Sequence, residues 1–283
     1  MGVLYLVATP VGNLEDITLR ALRILREADL IACEDTRYTA RLLTRYGIST
    51  PRESYHQFNE ASRAPRLIQL LHEGKNVALV SDSGTPLVSD PGYEIVSICR
   101  KEGIQVIPVP GPSAAIAALT GSGLPADSFF FVGFLPSRGS ARKRRLQALA
   151  TVPATLVIFE APHRLLSSLE DMASIFGARR ACIARELTKV HEEFLNGTLP
   201  ELLADLRARP KIQGEITLVI EPGEKEPVSS CRPESLRQHL EEVMQRTGLP
   251  RNEALKSVAK QRGLTRKQAY NLLNDELRKT SGE

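Results

Sequence analysis

The 283-residue chain is 42% hydrophobic and 25% charged, with 37 basic and 33 acidic residues for a net charge of +4 and no tryptophan. That is the balance of about two ordinary globular domains with an aliphatic core. No apolar run approaches the roughly 20 residues of a membrane helix. Met1–Ala8 lacks the basic lead of a secretion signal, and Cys33, Cys99, Cys182 and Cys231 have neither zinc-ligand nor disulfide-frame spacing. A cytoplasmic protein with reduced thiols, no membrane association and no metal is expected.

Val3–Ala8 predicts a first buried strand, ending at Thr9-Pro10 and followed by helical spacing over 19–25. Leu30–Cys33, Val77–Val80 and Ile104–Val109 are further short apolar runs, separated by helical stretches. The alternation predicts a largely parallel sheet covered on both faces. Past Gly111 the runs at 129–134, 156–159, 181–184 and 216–220 predict a second sheet. Residues 221–233, rich in Pro, Ser and charge, read as a linker. Beyond it, Leu236, Leu240 and Val243 predict one helix stopped by Gly248, and Leu255, Val258 and Ala259 a second ended by Gly263. Thr265 with Gln268 caps a third. The expected division is an α/β domain over 1–112, a second over 113–222, a linker over 223–234 and a helix-turn-helix-like module over 235–283.

The net charge is uneven. Residues 229–283 hold 11 basic and 7 acidic side chains, and the rest of the chain holds 26 of each. Arg266, Lys267, Tyr270, Asn271 and Asn274 can share one face of the last helix, and nucleic-acid contact is favoured there over an ordinary wet face. Arg138, Arg142, Lys143, Arg144 and Arg145 form a second cationic run. A solvated helix face and an anion-binding patch account for it equally well.

Several common site motifs are absent: G-x-G-x-x-G after the first strand, G-x-x-x-x-G-K-[ST], H-E-x-x-H and G-x-S-x-G. In their place, small-residue loops follow predicted strands at 9–13, 81–92 and 110–114. In open α/β sheets, ligands bind at that edge. The loops offer Gly, Pro, hydroxyls and Asp but no cation, which suits a zwitterionic, partly cationic ligand better than a phosphate. Glu34-Asp35-Thr36-Arg37 ends another strand, and a helix N-cap at Asp35 or Thr36 is its simplest role. F-E-A-P-H-R (159–164) and R-E-L-T-K (185–189) repeat the theme in the second half.

Together V-A-T-P-V-G-N-L-E-D-I-T (7–18), E-D-T-R (34–37), S-D-S-G-T-P-L-V-S-D-P-G (81–92), P-G-P-S-A (110–114), G-F-L-P (133–136) and the two later motifs resemble the tetrapyrrole methylase superfamily of S-adenosylmethionine-dependent methyltransferases. Within it, the chain is similar to the ribosomal RNA small-subunit methyltransferase I family. Ser83 stands where alanine is usual there, and Phe159 where tyrosine is frequent. The resemblance implies two α/β domains with the cofactor in the cleft between them, and a homodimer. It implies 2'-O-methylation of cytidine-1402 in 16S rRNA of the small ribosomal subunit. A G-G-D-P-type loop marks the tetrapyrrole branch, and Asp82–Thr85 departs from it, so methylation of a porphyrinoid carbon is the alternative. Cofactor contacts carried over by motif fall on Pro10, Asp82, Ser83, Gly84, Leu87, Ser113, Ala114 and Leu187. Asp35 or Glu34 is expected as the base, with His163 a weaker alternative, and Arg37 and Lys189 as phosphate or hydroxyl contacts.

Overall fold

A computed structural model describes residues 1–223, 235–262 and 264–280. Within it, the chain forms two compact units, Met1–Gly223 and Glu224–Glu283. Among the described residues, no helix is long and apolar enough to cross a membrane.

The first unit is α/β and contains two five-stranded sheets. Strands β1 (Val3–Val7), β2 (Leu30–Cys33), β3 (Arg52–Ser54), β4 (Val77–Val80) and β5 (Gln105–Val109) form the first, in the order β3-β2-β4-β1-β5. All its pairings are parallel, because every crossover carries a helix. These are α1 (Leu19–Glu27), α2 (Thr36–Arg45), α3 (Glu60–His72) and α4 (Tyr93–Lys101). The period of two along each strand sends side chains to opposite faces. Val7, Ile31, Ala78 and Val80 pack under α1 and α2. Leu4, Ala32, Val77 and Leu79 pack under α3 and α4. Thr18 caps α1 by accepting from Ala21 N, and Asp35 caps α2 by accepting from Arg37 N.

Helix α5 (Ala114–Gly121) leaves β5 and lies on the second sheet. That sheet contains β6 (Phe129–Phe134), β7 (Thr155–Glu160), β8 (Arg180–Arg185), β9 (Glu193–Thr198) and β10 (Ile216–Ile220), in the order β6-β7-β10-β8-β9. Only β6 and β7 are parallel. The segment between β8 and β9 is too short for a crossover helix, so the pair is antiparallel, as are the pairings of β10. Helices α6 (Gly139–Leu149), α7 (Leu165–Phe176) and α8 (Leu199–Ala208) cover one face. Ala115, Ala118 and Leu119 of α5 cover the other, together with Val11 from the loop after β1 and Leu187 from the loop after β8. The two sheets are thus joined by apolar packing next to the motif loops. β3 and β9 have no strong apolar run and were not foreseen.

The second unit has α9 (Leu236–Thr247), α10 (Arg251–Gln261) and α11 (Arg266–Thr280) around a core of Leu236, Leu240, Val243, Leu255, Val258 and Leu273. Gly248, left-handed at φ 68°, ends α9. Thr265 and Gln268 form the expected reciprocal cap at α11. Lys267, Tyr270 and Asn271 are exposed and Asn274 is half-buried, while the side chain of Arg266 lies outside the described residues. The expected linker beyond Gly223, with Cys231, and the helix stop at Gly263 also lie outside them.

Candidate active site

Because β1, β4 and β5 run parallel, the loops that follow them leave the same edge of the first sheet. Thr9 and Gly84 exchange backbone hydrogen bonds of 2.9 and 3.0 Å. Thr9 Oγ1 donates to the Ser81 carbonyl at 3.0 Å, and Thr85 Oγ1 to the Pro112 carbonyl at 3.0 Å. The three loops are therefore one hydrogen-bonded surface.

The loop after β8 faces it. Asn13 N donates to Thr188 Oγ1 at 2.9 Å, and a Cβ on Gly12 would sit 2.6 Å from Lys189 Cγ. The non-glycine residues with left-handed backbone among those described, Leu87, Ser89, Glu186 and Thr188, all lie in these two facing loops. Such conformations cost of order 1–3 kcal/mol each and cluster where surrounding structure over-determines a functional geometry. Gly214 is held to glycine by φ 91° and by Glu186, whose side chain would meet a Cβ at 2.5 Å.

Between the sheets lies a cavity of about 330 Å³. One wall carries Val11, Ser83, Gly84, Asp90, Ser113 and Ala114, and the other Phe134, Phe159, Glu160, Gly214 and Glu215. Ser113 begins α5 but makes no capping bond with its hydroxyl, which leaves that group for a ligand. Phe159 meets Phe131 and Phe134 edge-on, at 5.0 and 5.6 Å between ring centroids. Among the described residues, no lysine or arginine lines the cavity. Hydroxyls, carboxylates and aromatic rings in a space of this size fit a zwitterion carrying extra positive charge, such as S-adenosylmethionine.

Of the cofactor contacts expected from the motifs, Ser83, Gly84, Ser113 and Ala114 line this cavity. Pro10 and Asp82 line an adjoining one of about 160 Å³, with Thr9 and Tyr38. Leu87 turns its side chain onto Gly92, where a Cβ would be 2.9 Å from Leu87 Cδ1. Leu187 is buried against Val11 and α5. The last two shape the loops from behind.

The expected catalytic residues fall into two places. Glu34, Asp35 and Arg37 border an open hollow of about 430 Å³, shared with Asp82, His56 and Phe58. Asp82 Oδ1 accepts from Asp35 N at 2.9 Å, which ties this corner to the loop after β4. Asp35 is engaged twice over: it caps α2, and it accepts from Arg37 Nε at 3.1 Å and Nη2 at 2.7 Å. These bonds hold its carboxyl well below the usual range, so it is a weak base. Burial pushes Glu34 and Asp82 upward, each helped by the other charges of the cluster. Lys189 lies apart from this hollow, 2.9 Å from Glu186 and 3.3 Å from Glu215. His163 is exposed.

Asp90 was not singled out by sequence. It lines the cavity between the sheets, and burial, followed by the charge of Glu34, raises its carboxyl to about 7. Nothing local separated it from the other polar residues of its loop. The cationic run divides as well. Arg142 is buried, donating to Asp171 at 2.7 Å, while Arg138, Arg144 and Arg145 are exposed. Lys143 is exposed too but lies 3.4 Å from Asp171, so Arg138, Arg144 and Arg145 are the members best placed for an anionic partner.

Comparison with known proteins agrees with this geometry. The sequence profile of the Tetrapyrrole (Corrin/Porphyrin) Methylases matches residues 3–203. A protein of Halalkalibacterium halodurans named ribosomal RNA small subunit methyltransferase I is 49% identical over 278 residues, covering 97% of this chain and 96% of its own. One of that name from Bacillus subtilis is 43% identical over 274 residues, covering 95% and 93%. Among solved structures, uroporphyrin-III-C-methyltransferase from Thermus thermophilus superposes with a TM-score of 0.56 at 26% identity, over 78% of this chain and 94% of its own. The methyltransferase CobJ shares the fold, with a TM-score of 0.61 at 19% identity over 78% and 95%. With two sheets meeting at one loop-lined cavity and relatives this similar over nearly its whole length, the chain belongs to the ribosomal RNA small subunit methyltransferase I family of the tetrapyrrole methylases.

Proposed function

We propose that this protein transfers a methyl group from S-adenosylmethionine to the ribose 2'-hydroxyl of cytidine-1402 in 16S rRNA. It acts on the small ribosomal subunit in the cytoplasm, as a homodimer. The observation that carries the reading is the cation-free cavity between the sheets, walled by the three motif loops, in a chain whose relatives bear the rRNA methyltransferase name.

S-adenosylmethionine supplies the electrophile, a methyl group on a positively charged sulfonium. The chain's own task is alignment and exclusion of water. Ser83, Gly84 and Ser113 present backbone groups and hydroxyls to the cofactor, and Pro10 and Asp82 continue that wall. Leu87 and Leu187 hold the loops in place. The acceptor approaches past Glu34 and Asp35. Arg37, 88% exposed at its side chain, can leave Asp35 for a flanking phosphate, and Lys189 offers a second cation near Glu215. Exposed aromatics border the entrance, Phe58 at 87% and Tyr93 at 79%. Such faces stack bases splayed out of an RNA helix.

The deciding experiment is transfer of labelled methyl to purified small subunits lacking the modification, with free rRNA and a porphyrinoid alongside. Label on one ribose of subunit RNA is expected. Label on the porphyrinoid alone would replace the reading with ring-carbon methylation. Removing residues 235–283 should lower affinity for RNA, most at low salt, and leave cofactor affinity unchanged.

A further inference from the structure

The proposed reaction needs a group to take the hydroxyl proton, and the site offers several carboxylates. We propose that Asp90 is that base, an inference that rests on the 2'-O-methylation reading above. Its position is the reason. A second hollow, of about 370 Å³, opens beside the cavity between the sheets and is bordered by Glu34, Gln57, Glu60 and Tyr93. The residues that line both spaces are Ser89 and Asp90. Asp90 is therefore the carboxylate reached both from the cofactor wall and from the side where Tyr93 lies exposed.

The backbone holds it there. Ser89 is left-handed at φ 67°, and its Oγ would be 3.2 Å from a Cβ at Gly133, so the turn before Asp90 is pressed against β6 of the second sheet. Asp90 has no cation within 4 Å among the described residues, unlike Asp35, whose carboxylate is occupied by Arg37. Glu34 borders the second hollow but not the first cavity.

In the step itself, the hydroxyl oxygen forms the new bond to the methyl carbon. The electron pair of the old carbon–sulfur bond stays on the departing thioether. The hydroxyl proton passes to the Asp90 carboxylate, and from there to water through the Tyr93 side.

The groups around Asp90 favour this task. Glu34 stands at the end of β2, Asp82 and Ser81 at the end of β4, and Glu60 on α3. Glu160 and Glu215 lie across the cavity, held by Arg164 at 3.2 Å and Lys189 at 3.3 Å. Burial and the negative neighbours Glu34 and Asp82 raise the Asp90 carboxyl to about 7, against the opposing pull of Ser81. A base poised near neutrality combines availability with proton affinity.

The test compares wild type, Asp90→Asn and Glu34→Gln for methyl transfer to small subunits between pH 5.5 and 9. Cofactor binding is measured by calorimetry in each. Carboxyl carbon resonances of the cofactor-free protein report the titration directly. In Asp90→Asn the rate should fall about a hundredfold or more with cofactor affinity retained, and a resonance titrating near neutrality should vanish. In Glu34→Gln the acid limb of the rate profile should move to lower pH, because a negative neighbour has been removed. A wild-type rate in Asp90→Asn, an unmoved limb in Glu34→Gln, or a loss of cofactor affinity that matches the loss of rate would each overturn the inference. Failure of the wild-type protein to label RNA would instead overturn the reading beneath it, before any variant is made.

Discussion

The two halves of the first unit treat their buried carboxylates in opposite ways. Around the second sheet Glu160 is matched with Arg164, Asp171 with Arg142 and Lys143, and Glu193 with Arg185 and Arg209. At the C-terminal edge of the first sheet, Glu34, Asp82 and Asp90 have no cation within 4 Å among the described residues. Glu193 is pulled down by its arginines, and the three unmatched groups are pushed up by burial. Like charges gathered in a half-buried cleft cost stability, and that arrangement belongs to sites that handle protons. The second sheet is the scaffold, and the first sheet's edge carries the chemistry.

Four experiments put that contrast to the test. The largest effect is expected from Arg142→Ala, which strands Asp171 in the interior and should cost about 3 kcal/mol in chemical denaturation. A double change to apolar residues at 142 and 171 should recover much of it. A small loss in the single variant would mean that Lys143 suffices.

Glu193 provides the next. Its carboxyl is lowered to about 2, first by hydrogen bonding to Arg209. A depressed carboxylate lends stability above its unfolded value near 4.5, and the contribution is lost as pH falls from there toward 2. Glu193→Gln should therefore cost about 1–2 kcal/mol at pH 7 and almost nothing at pH 2.5. Parallel stability curves for the two proteins would contradict the assignment.

Asp90 should behave with the opposite sign. Its raised carboxyl makes the folded state less stable as pH climbs from about 4 through 7. Asp90→Asn should then be more stable than wild type at pH 8, by about 1–2 kcal/mol, and equal to it at pH 4. A destabilised variant at pH 8 would show that the carboxylate is structurally supported after all.

The smallest change is expected from Ser113→Ala. Its hydroxyl caps nothing, so the melting temperature should hardly move, while S-adenosylmethionine affinity falls by about five- to tenfold, the equivalent of one hydrogen bond. Unchanged affinity would place the ligand elsewhere in the cavity.

Much of the fold was readable because the first sheet is parallel and buried on both faces, which makes its strands continuous apolar runs such as Val77–Val80. The strands that escaped notice, Arg52–Ser54 and Glu193–Thr198, lie at sheet edges. There one side faces polar surroundings and the pattern dissolves. Helix boundaries were legible where a cap is chemical, as at Asp35, Gly248 and Thr265.

The site divides along the same line. Loops built from Gly, Pro, Ser and Asp after buried strands marked themselves by composition alone, because only such residues allow close backbone approach and left-handed turns. The motifs also determined the family. What each side chain does was decided by neighbours distant in sequence. Asp35 and Asp90 are the same residue type in equally conspicuous motifs. One is neutralised by an arginine two positions away, and the other is raised by burial and then by Glu34, 56 positions away. Arg142 and Arg144 stand two apart in one cationic run, yet the helix turns one inward to Asp171 and the other to water. Local sequence carries backbone preference and burial pattern. Proton affinity and charge pairing depend on what the tertiary fold brings within a few ångströms, and no local pattern encodes that.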